Sequence, residues 1–540
     1  MPSQDLAYTT VQYFSKVGVT PTPSEEHRVT THQPIDDLFK HRVTPTLKTE
    51  WRDDEYPPLL ERVVSSSAAG FPGHNGHECQ NRHAFAALLQ DGSVTTWGKS
   101  EAGGDSSNVA SLLNGTVKVS QVFSNHRAFA ALREDGSVVT WGDPLHGGVT
   151  ADESSLLKST PRIINIFSTT GAFAALRSDG SVLAWGDALC GGDLHSAARQ
   201  LNGQIKVINI FSTACAFAAL RADGSVVTWG DLLSGGSSNA VEAQLDGKNK
   251  VVRIYSSYGA FAALHEDGSI TPWGHACSGG NNYDVAHQLN GNPPVVRIAS
   301  TAYAFAALRA DGSVVAWGHP HKGGSVRGGI STLLNGSVSV LKIFSTSAAF
   351  AALRADGSVI TWGDSASGGL SLDVAEDLRG LIPVVKVFST NYAFAALRAD
   401  GSVITWGDSD SGGDSRAVAK KLKGSTRVID VFSTSAAFAA LLADGSVVTW
   451  GDPVSGGDCR KVAQQLDGSI NVVKIFSTLW GAFAALRADG SIIAWGDSTQ
   501  GGHNVRLDHA KNIVYLANPH INSDLSSIAS TFGQSPCRIT

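Results

Sequence analysis

The chain is short of methionine, cysteine and charge. Its 540 residues include one methionine and six cysteines, and only 17% are charged. The cysteines, at Cys79, Cys190, Cys215, Cys277, Cys459 and Cys537, are irregularly spaced and contain no Cys-x-x-Cys pair. That spacing predicts unpaired, mostly buried thiols rather than a disulfide framework or a metal site. Net charge is −6 and there is no basic block of five or more, which argues against binding nucleic acid by phosphate neutralisation or a membrane surface through basic residues. No apolar run approaches bilayer-spanning length. The N-terminal MPSQDLAYTTVQYFSKVG lacks a basic segment followed by an apolar one, so no cleaved secretory signal is read there. The expected location is cytoplasmic, or exported without a cleaved signal peptide.

What the chain has instead is glycine, 58 residues of it, and a repeat. Ten tryptophans recur at Trp97, Trp141, Trp185, Trp229, Trp273, Trp317, Trp362, Trp406, Trp450 and Trp495, spaced 44 residues apart seven times and 45 twice. A fixed period of this length marks one supersecondary unit per repeat. In the unit around Trp229, VINIFST (207–213) is rich in β-branched and aromatic residues and reads as a strand. AFAALR (216–221) reads as a second strand, with Phe217 and Ala219 on one face and Ala218 and Leu220 on the other. Asp-Gly-Ser, found in all ten units, supplies the hairpin turn into a third strand, SVVTWG (225–230). Each Trp-Gly then opens a loop, W-G-x-x-x-x-G-G, in ten of ten units. Apolar helical patterns follow in most: SAARQL at 196, DVAHQL at 284, DVAEDL at 373 and KVAQQL at 461. One small three-stranded sheet cannot bury both faces alone, so stacking on its neighbours supplies the core.

The two ends differ from the middle. The first unit has GFPGHNGHECQNRH (70–83) where later ones have a leading strand, and NIVYLAN (512–518) is a spare strand with no hairpin after it. A ring closed by the C-terminal strand is therefore expected in preference to an open superhelix. Residues 1–63, with scattered Pro, Thr and His, read as an extended or partly disordered arm. Residues 64–518 form the ten-repeat array, and 519–540 a polar tail. His-Arg-Val-Thr occurs twice in the arm, at His27 and His41, without an evident reason.

The order Asp-Gly, Val-x-x-Trp-Gly, Gly-rich loop, apolar strand, then Ala-x-Ala-Leu resembles the repeats of the regulator of chromosome condensation family. It is also similar to the propeller inhibitors of β-lactamases. The resemblance covers about 80–518 and implies a β-propeller. This chain departs from the family in three ways. Ser-Thr-x-x-Ala-Phe, as at Ser212–Phe217, replaces the family's Gly-x-x-His segment. A loop ending in Gly-Gly replaces Gly-Gln-Leu-Gly. Ten units stand where seven blades are usual. The namesake activity, guanine-nucleotide exchange on a small GTPase, needs a specialised wedge in one blade, and these units are uniform. Ubiquitin ligases carry such repeats too, but only about 40 residues follow the last Gly-Gly here.

The recurring polar residues have structural roles available. Asp follows Trp-Gly in seven units, and Gly-Gly-Asp recurs in four. One or two acids per unit suit turn capping better than a calcium site. Arg follows AFAAL in seven units, including Arg133, Arg177, Arg221 and Arg354, where pairing with the nearby turn Asp is expected. His275, His319 and His321 fall in two adjacent loops without zinc-ligand spacing. The Ser-Thr pairs at Ser168, Ser212 and Ser345 repeat too regularly to mark one nucleophile, and no glycine loop carries the Lys-Ser/Thr of a phosphate cradle. No catalytic residue, cofactor or metal is expected.

Two short segments at the strand ends of each unit vary inside the constant frame. The residues between Ser-Thr and Ala-Phe vary (Asn125-His126-Arg127, Tyr258-Gly259, Ala302-Tyr303, Asn391-Tyr392, Leu479-Trp480-Gly481), as do the four between Trp-Gly and Gly-Gly. Variable, partly aromatic strand ends on a constant frame are how repeat proteins present a binding surface. The sequence thus reads as a mainly β, propeller-like array of ten units, each of three strands plus a short helix or turn. It is expected to be a non-enzymatic scaffold that binds a protein through His126, Arg127, Tyr258, Tyr303, Tyr392 and Trp480. The alternatives are an exported adhesin, lectin or toxin component that would stack sugars on the rim aromatics, and an exchange factor for a small GTPase.

Overall fold

In a computed structural model, the described residues are 81, 84–89, 91–148, 160–326, 328–477, 481–498, 502 and 513–516. The proposed arm of residues 1–63 and tail of 519–540 lie outside them. Ten three-stranded antiparallel sheets succeed one another along the chain. Unit 4 is typical: a leading strand Val207–Ser212, a middle strand Ala216–Arg221 and an outer strand Val226–Gly230. The middle strand pairs with both others, Phe217 lying opposite Ser212 on one side and Trp229 on the other.

The faces of the middle strand divide as its alternation requires. Phe217 and Ala219 pack with Phe167, Ala172, Ala174 and Leu176 of unit 3. Ala218 and Leu220 pack with Ile254, Phe261 and Ala263 of unit 5. Nine such clusters occur, one for each junction between successive units. The hydrophobic core is therefore located between sheets, and alanine on the middle strand lets the sheets approach.

A single lock recurs at these junctions. Phe261 of unit 5 stacks on Trp273 of the same unit, centroids 5.1 Å apart, and the Trp273 indole N–H donates to the carbonyl of Gly235 in unit 4 at 3.1 Å. Gly235 sits at φ +94, and a Cβ there would lie 2.7 Å from a Phe261 ring carbon. Only glycine meets both demands, the left-handed backbone and the close ring. The same indole-to-glycine bond is made by the motif tryptophan of every unit from the second to the tenth.

The short helix or turn expected after Gly-Gly is a 3-10 segment at, for example, His195–Arg199 and Arg460–Gln465, with α-helical turns only at Gly329–Leu333 and Ala419–Leu422 among the described residues. Two buried side chains anchor each of the first two, Ala197 with Leu201 and Val462 with Leu466, and so small an apolar face does not need a full amphipathic helix. Two expectations about the cysteines need correction. Cys190 and Cys215, expected as free thiols, are joined as a disulfide between the glycine loop of unit 3 and the strand lead of unit 4. Cys277 is free but exposed rather than buried.

The spare strand, Ile513–Leu516, completes the first unit. It pairs with Ala84–Leu89 so that Leu89 opposes Ile513, Leu88 opposes Tyr515 and Ala87 opposes Leu516. This is the register, bulge included, in which Val119–Ser124 pairs within unit 2. The C-terminal segment thus takes the leading-strand place that residues 70–83 were seen to lack.

Three outcomes follow. Phe261→Ala removes a fully buried ring and is expected to cost about 3–5 kcal/mol. Gly235→Ala, which adds only a methyl group, should also destabilise, by roughly 1–3 kcal/mol. Both are read from denaturant melts of the full chain, and a neutral Gly235→Ala contradicts the lock. A chain ending at residue 512 leaves the Ala84–Leu89 edge bare and should melt lower and self-associate. An unchanged melt and an unchanged sedimentation profile would show that the added strand contributes nothing.

Candidate functional site

The antiparallel order places both variable segments at one end of every unit, here called the loop rim. Hydrogen bonds join them. Asn125 Nδ2 donates to the His146 carbonyl at 2.6 Å, Thr169 Oγ1 to Cys190, Thr213 Oγ1 to Ser234, and Thr390 Oγ1 to Ser411. Among the described residues, the residue at the second place of the Ser-Thr pair is a clip that holds the Trp-Gly loop of its own unit. Its regular recurrence is structural, as the sequence indicated.

The next residue ties one unit to the following one through its backbone. Thr170 N–H donates to the Ala214 carbonyl, Ala214 to Tyr258, Tyr258 to Ala302, Ala302 to Ser347, Ser347 to Asn391, and Asn391 to Ser435, at 2.9–3.1 Å. His126 begins this series with a longer 3.4 Å bond to Thr170. The backbone here is committed, so only side chains are free to vary.

The expected site residues occupy two positions on this rim. His126 and Tyr258 are in the backbone series, and Arg127, Tyr303 and Tyr392 stand one residue further on. The three tyrosines are 40–44% exposed. Tyr303 meets His319 edge-on, centroids 6.5 Å apart. Arg127 pairs within its own unit: its Nε lies 2.9 Å from Asp143 Oδ2, and His146 Nδ1 lies 3.1 Å from the same oxygen. Trp480 lies outside the described residues.

Sequence reasoning passed over the largest feature of the rim. Leu145, Leu189, Leu232 and Leu233 are 77%, 79%, 70% and 70% exposed on the Trp-Gly loops of units 2, 3 and 4. The signal was present in the loop sequences DPLH, DALC and DLLS. In units 7 and 8 the same loops carry DSAS and DSDS, and an exposed apolar residue returns singly, as Val454, in unit 9.

The recurring acids serve the frame. Asp143 and Asp187 accept from the N–H of Leu145 and Leu189, and Asp452 from Val454 and Ser455. At the opposite end, the turn rim, Asp223 accepts from Ser225 N–H and Oγ, and Arg221 Nε donates to the same Oγ. Burial would raise the Asp223 carboxyl, but the Ser225 bonds and then Arg221 outweigh it and hold it below the ordinary 3.8. Asp135, Asp179, Asp311, Asp356 and Asp400 are lowered in the same way. Among the described residues no three His, Cys, Asp or Glu side chains gather as a metal site, and His319 and His321 stand 6.2 Å apart. No helix among them is long and apolar enough to cross a membrane.

No family model and no curated protein matches the chain. Solved structures do. Prp20p from Saccharomyces cerevisiae, described with its binding properties to Gsp1p and histones, is 15% identical over 73% of this chain and 96% of its own, with a TM-score of 0.33. Yeast RCC1 (Prp20) bound to Kap60 is 18% identical over 62% and 87%, TM-score 0.31. The CRINKLY WD40 ectodomain of the Arabidopsis thaliana receptor kinase ACR4 is 16% identical over 52% and 90%, TM-score 0.28.

The turn carboxylates carry a pH prediction. A carboxyl whose folded pKa is depressed adds stability that is fully present above its unfolded value and is lost as pH falls through the folded one. The melting temperature should therefore hold from pH 7 to about 5 and fall steeply below about 4. The turns are part-exposed, so each contributes little and the recurrence makes the effect measurable. An unchanged melt between about pH 5 and 3 contradicts this.

Proposed function

We propose that this chain is a non-catalytic scaffold that binds another protein through its loop rim. The observation that carries the reading is the run of exposed leucines on units 2–4. The frame has no use for them: the clip, the backbone series and the Phe–Gly lock are made by other residues. Four large apolar side chains, each more than two-thirds exposed on adjacent loops, cost solvation unless a partner covers them. Tyr258 and Tyr303 continue the apolar character onto units 5 and 6, and tyrosine is a common interface anchor. The adjoining face of the partner is apolar with a polar margin.

A chain carrying Leu145→Ser, Leu189→Ser, Leu232→Ser and Leu233→Ser tests this. All four sites are exposed, so the melt should be unchanged. Proteins retained from lysate by the immobilised full chain should be lost from the variant, and reduced by Tyr258→Ala with Tyr303→Ala. The same retained set from both chains sinks the rim reading. A retained small GTPase whose nucleotide release the chain accelerates would replace scaffold with exchange factor, and a retained glycoprotein released by free sugar would replace it with lectin.

A further inference from the structure

The leading strands carry a second surface that the rim reading does not use. The leading strands of successive units are neighbours, linked where Ser168 Oγ donates to Ser124 C=O, Ser300 to Ser256 and Ser389 to Ser345. Each strand has a bulge at its second residue. In unit 5, Val251 opposes His265 and Arg253 opposes Leu264, so Val252 is extra. The bulged residue is Ile164, Ile208, Val252, Val296, Leu341, Val385, Ile429 or Val473 in units 3–10, each 49–59% exposed. A soluble frame gains nothing from eight exposed aliphatic residues in register.

The third residue of the leading strand gives this surface a polarity. It is Gln121, Asn165 and Asn209 in units 2–4, then Arg253, Arg297, Lys342 and Lys386 in units 5–8, followed by Asp430 and Lys474. These side chains reach from one unit to the next, since Lys386 Nζ lies 2.8 Å from Asp430 Oδ1. Lys342 is held below its ordinary value by burial, then by Arg297 and Lys386. Among the described residues no carboxylate pairs with Arg253, Arg297 or Lys342. Arg253 and Lys342 rest instead on the rings of Tyr255 and Phe344, so in a chain of net charge −6 this is a local run of cations without carboxylate partners.

We infer that the leading strands of units 5–8 bind an extended acidic peptide segment of a partner protein, its carboxylates on Arg253, Arg297 and Lys342 and its apolar side chains on Val252, Val296, Leu341 and Val385. A run of phosphates would satisfy the cations and leave the aliphatic row uncovered; a peptide that mixes Asp or Glu with Leu or Val satisfies both.

The probe is a short fluorescein-labelled peptide of repeating Glu-Leu-Asp-Val sequence, titrated with the full chain and read by anisotropy. Arms with oligo-glutamate, inorganic polyphosphate and a single-stranded oligonucleotide separate the ligand classes. The expected result is saturable, salt-sensitive binding of the mixed peptide, weakened about tenfold or more by Arg253→Gln, Arg297→Gln and Lys342→Gln together. Val252→Ser, Val296→Ser and Leu341→Ser together should weaken the mixed peptide but not oligo-glutamate. These positions are exposed or half-buried, and a melt of each variant confirms the fold. No binding, equal binding to the charge-neutralised chain, or tighter binding of polyphosphate or the oligonucleotide than of the peptide overturns the inference. The rim leucine variant should bind the probe normally, so failure here and failure of the rim reading are separate results.

Discussion

Everything in this molecule depends on a phenylalanine resting on a glycine. The glycine closes the Trp-Gly loop of one unit, and the phenylalanine begins the middle strand of the next. With no Cβ, the glycine accepts both a left-handed backbone and an aromatic ring at contact distance. The tryptophan stacked on that ring returns a hydrogen bond to the same glycine carbonyl. Two sequence signatures that look separate, AFAAL and W-G-x-x-x-x-G-G, are thus the two halves of one junction. Because each half is on a different unit, no unit is complete alone, and stability grows by adding neighbours.

This junction also explains where variation is tolerated. The middle strand is buried on both faces, and its Phe and Ala are held to size by the next sheet. The Ser-Thr clip fixes the Trp-Gly loop, and the backbone series fixes the residues after it. What escapes constraint is the tips of the loops and the bulged edge of the leading strand. The leucines are on the first and the aliphatic and cationic rows on the second. A chain that repeats its core so closely carries its individuality outside that core.

Much of the frame was legible because it obeys period rules. Alternation assigned Phe217 and Ala218 to opposite faces, Asp-Gly-Ser announced the hairpins, and the surplus NIVYLAN announced the strand that completes the first sheet. Other features depend on contacts between units and leave no local pattern. Cys190 and Cys215 are 25 residues apart and meet only because a loop of one unit abuts the strand lead of the next. Alternation along VINIFS puts Ile208 and Ile210 on one face, yet Ile210 is buried and Ile208 exposed. The bulge that separates them is a two-against-one register, which a single strand's sequence does not disclose. The rim leucines were legible as letters, but aromatic residues at other positions drew the weight.

The two surfaces vary along the array in different ways, and that difference is informative. The loop rim is apolar in units 2–4, where the third leading-strand residue is neutral. It turns polar in the Trp-Gly loops of units 7 and 8, where that residue is cationic. A drift in composition along the repeats would not change these two positions and leave the bulged residue beside one of them aliphatic throughout units 3–10. Nor does the core require it, since the buried Phe, Ala and Trp are the same in all these units. On the reading proposed above, the constraint that remains is a partner: each surface has its character where that partner would meet it. A ten-unit array offers length enough for two such places on different units, each altered without disturbing the junction on which both depend.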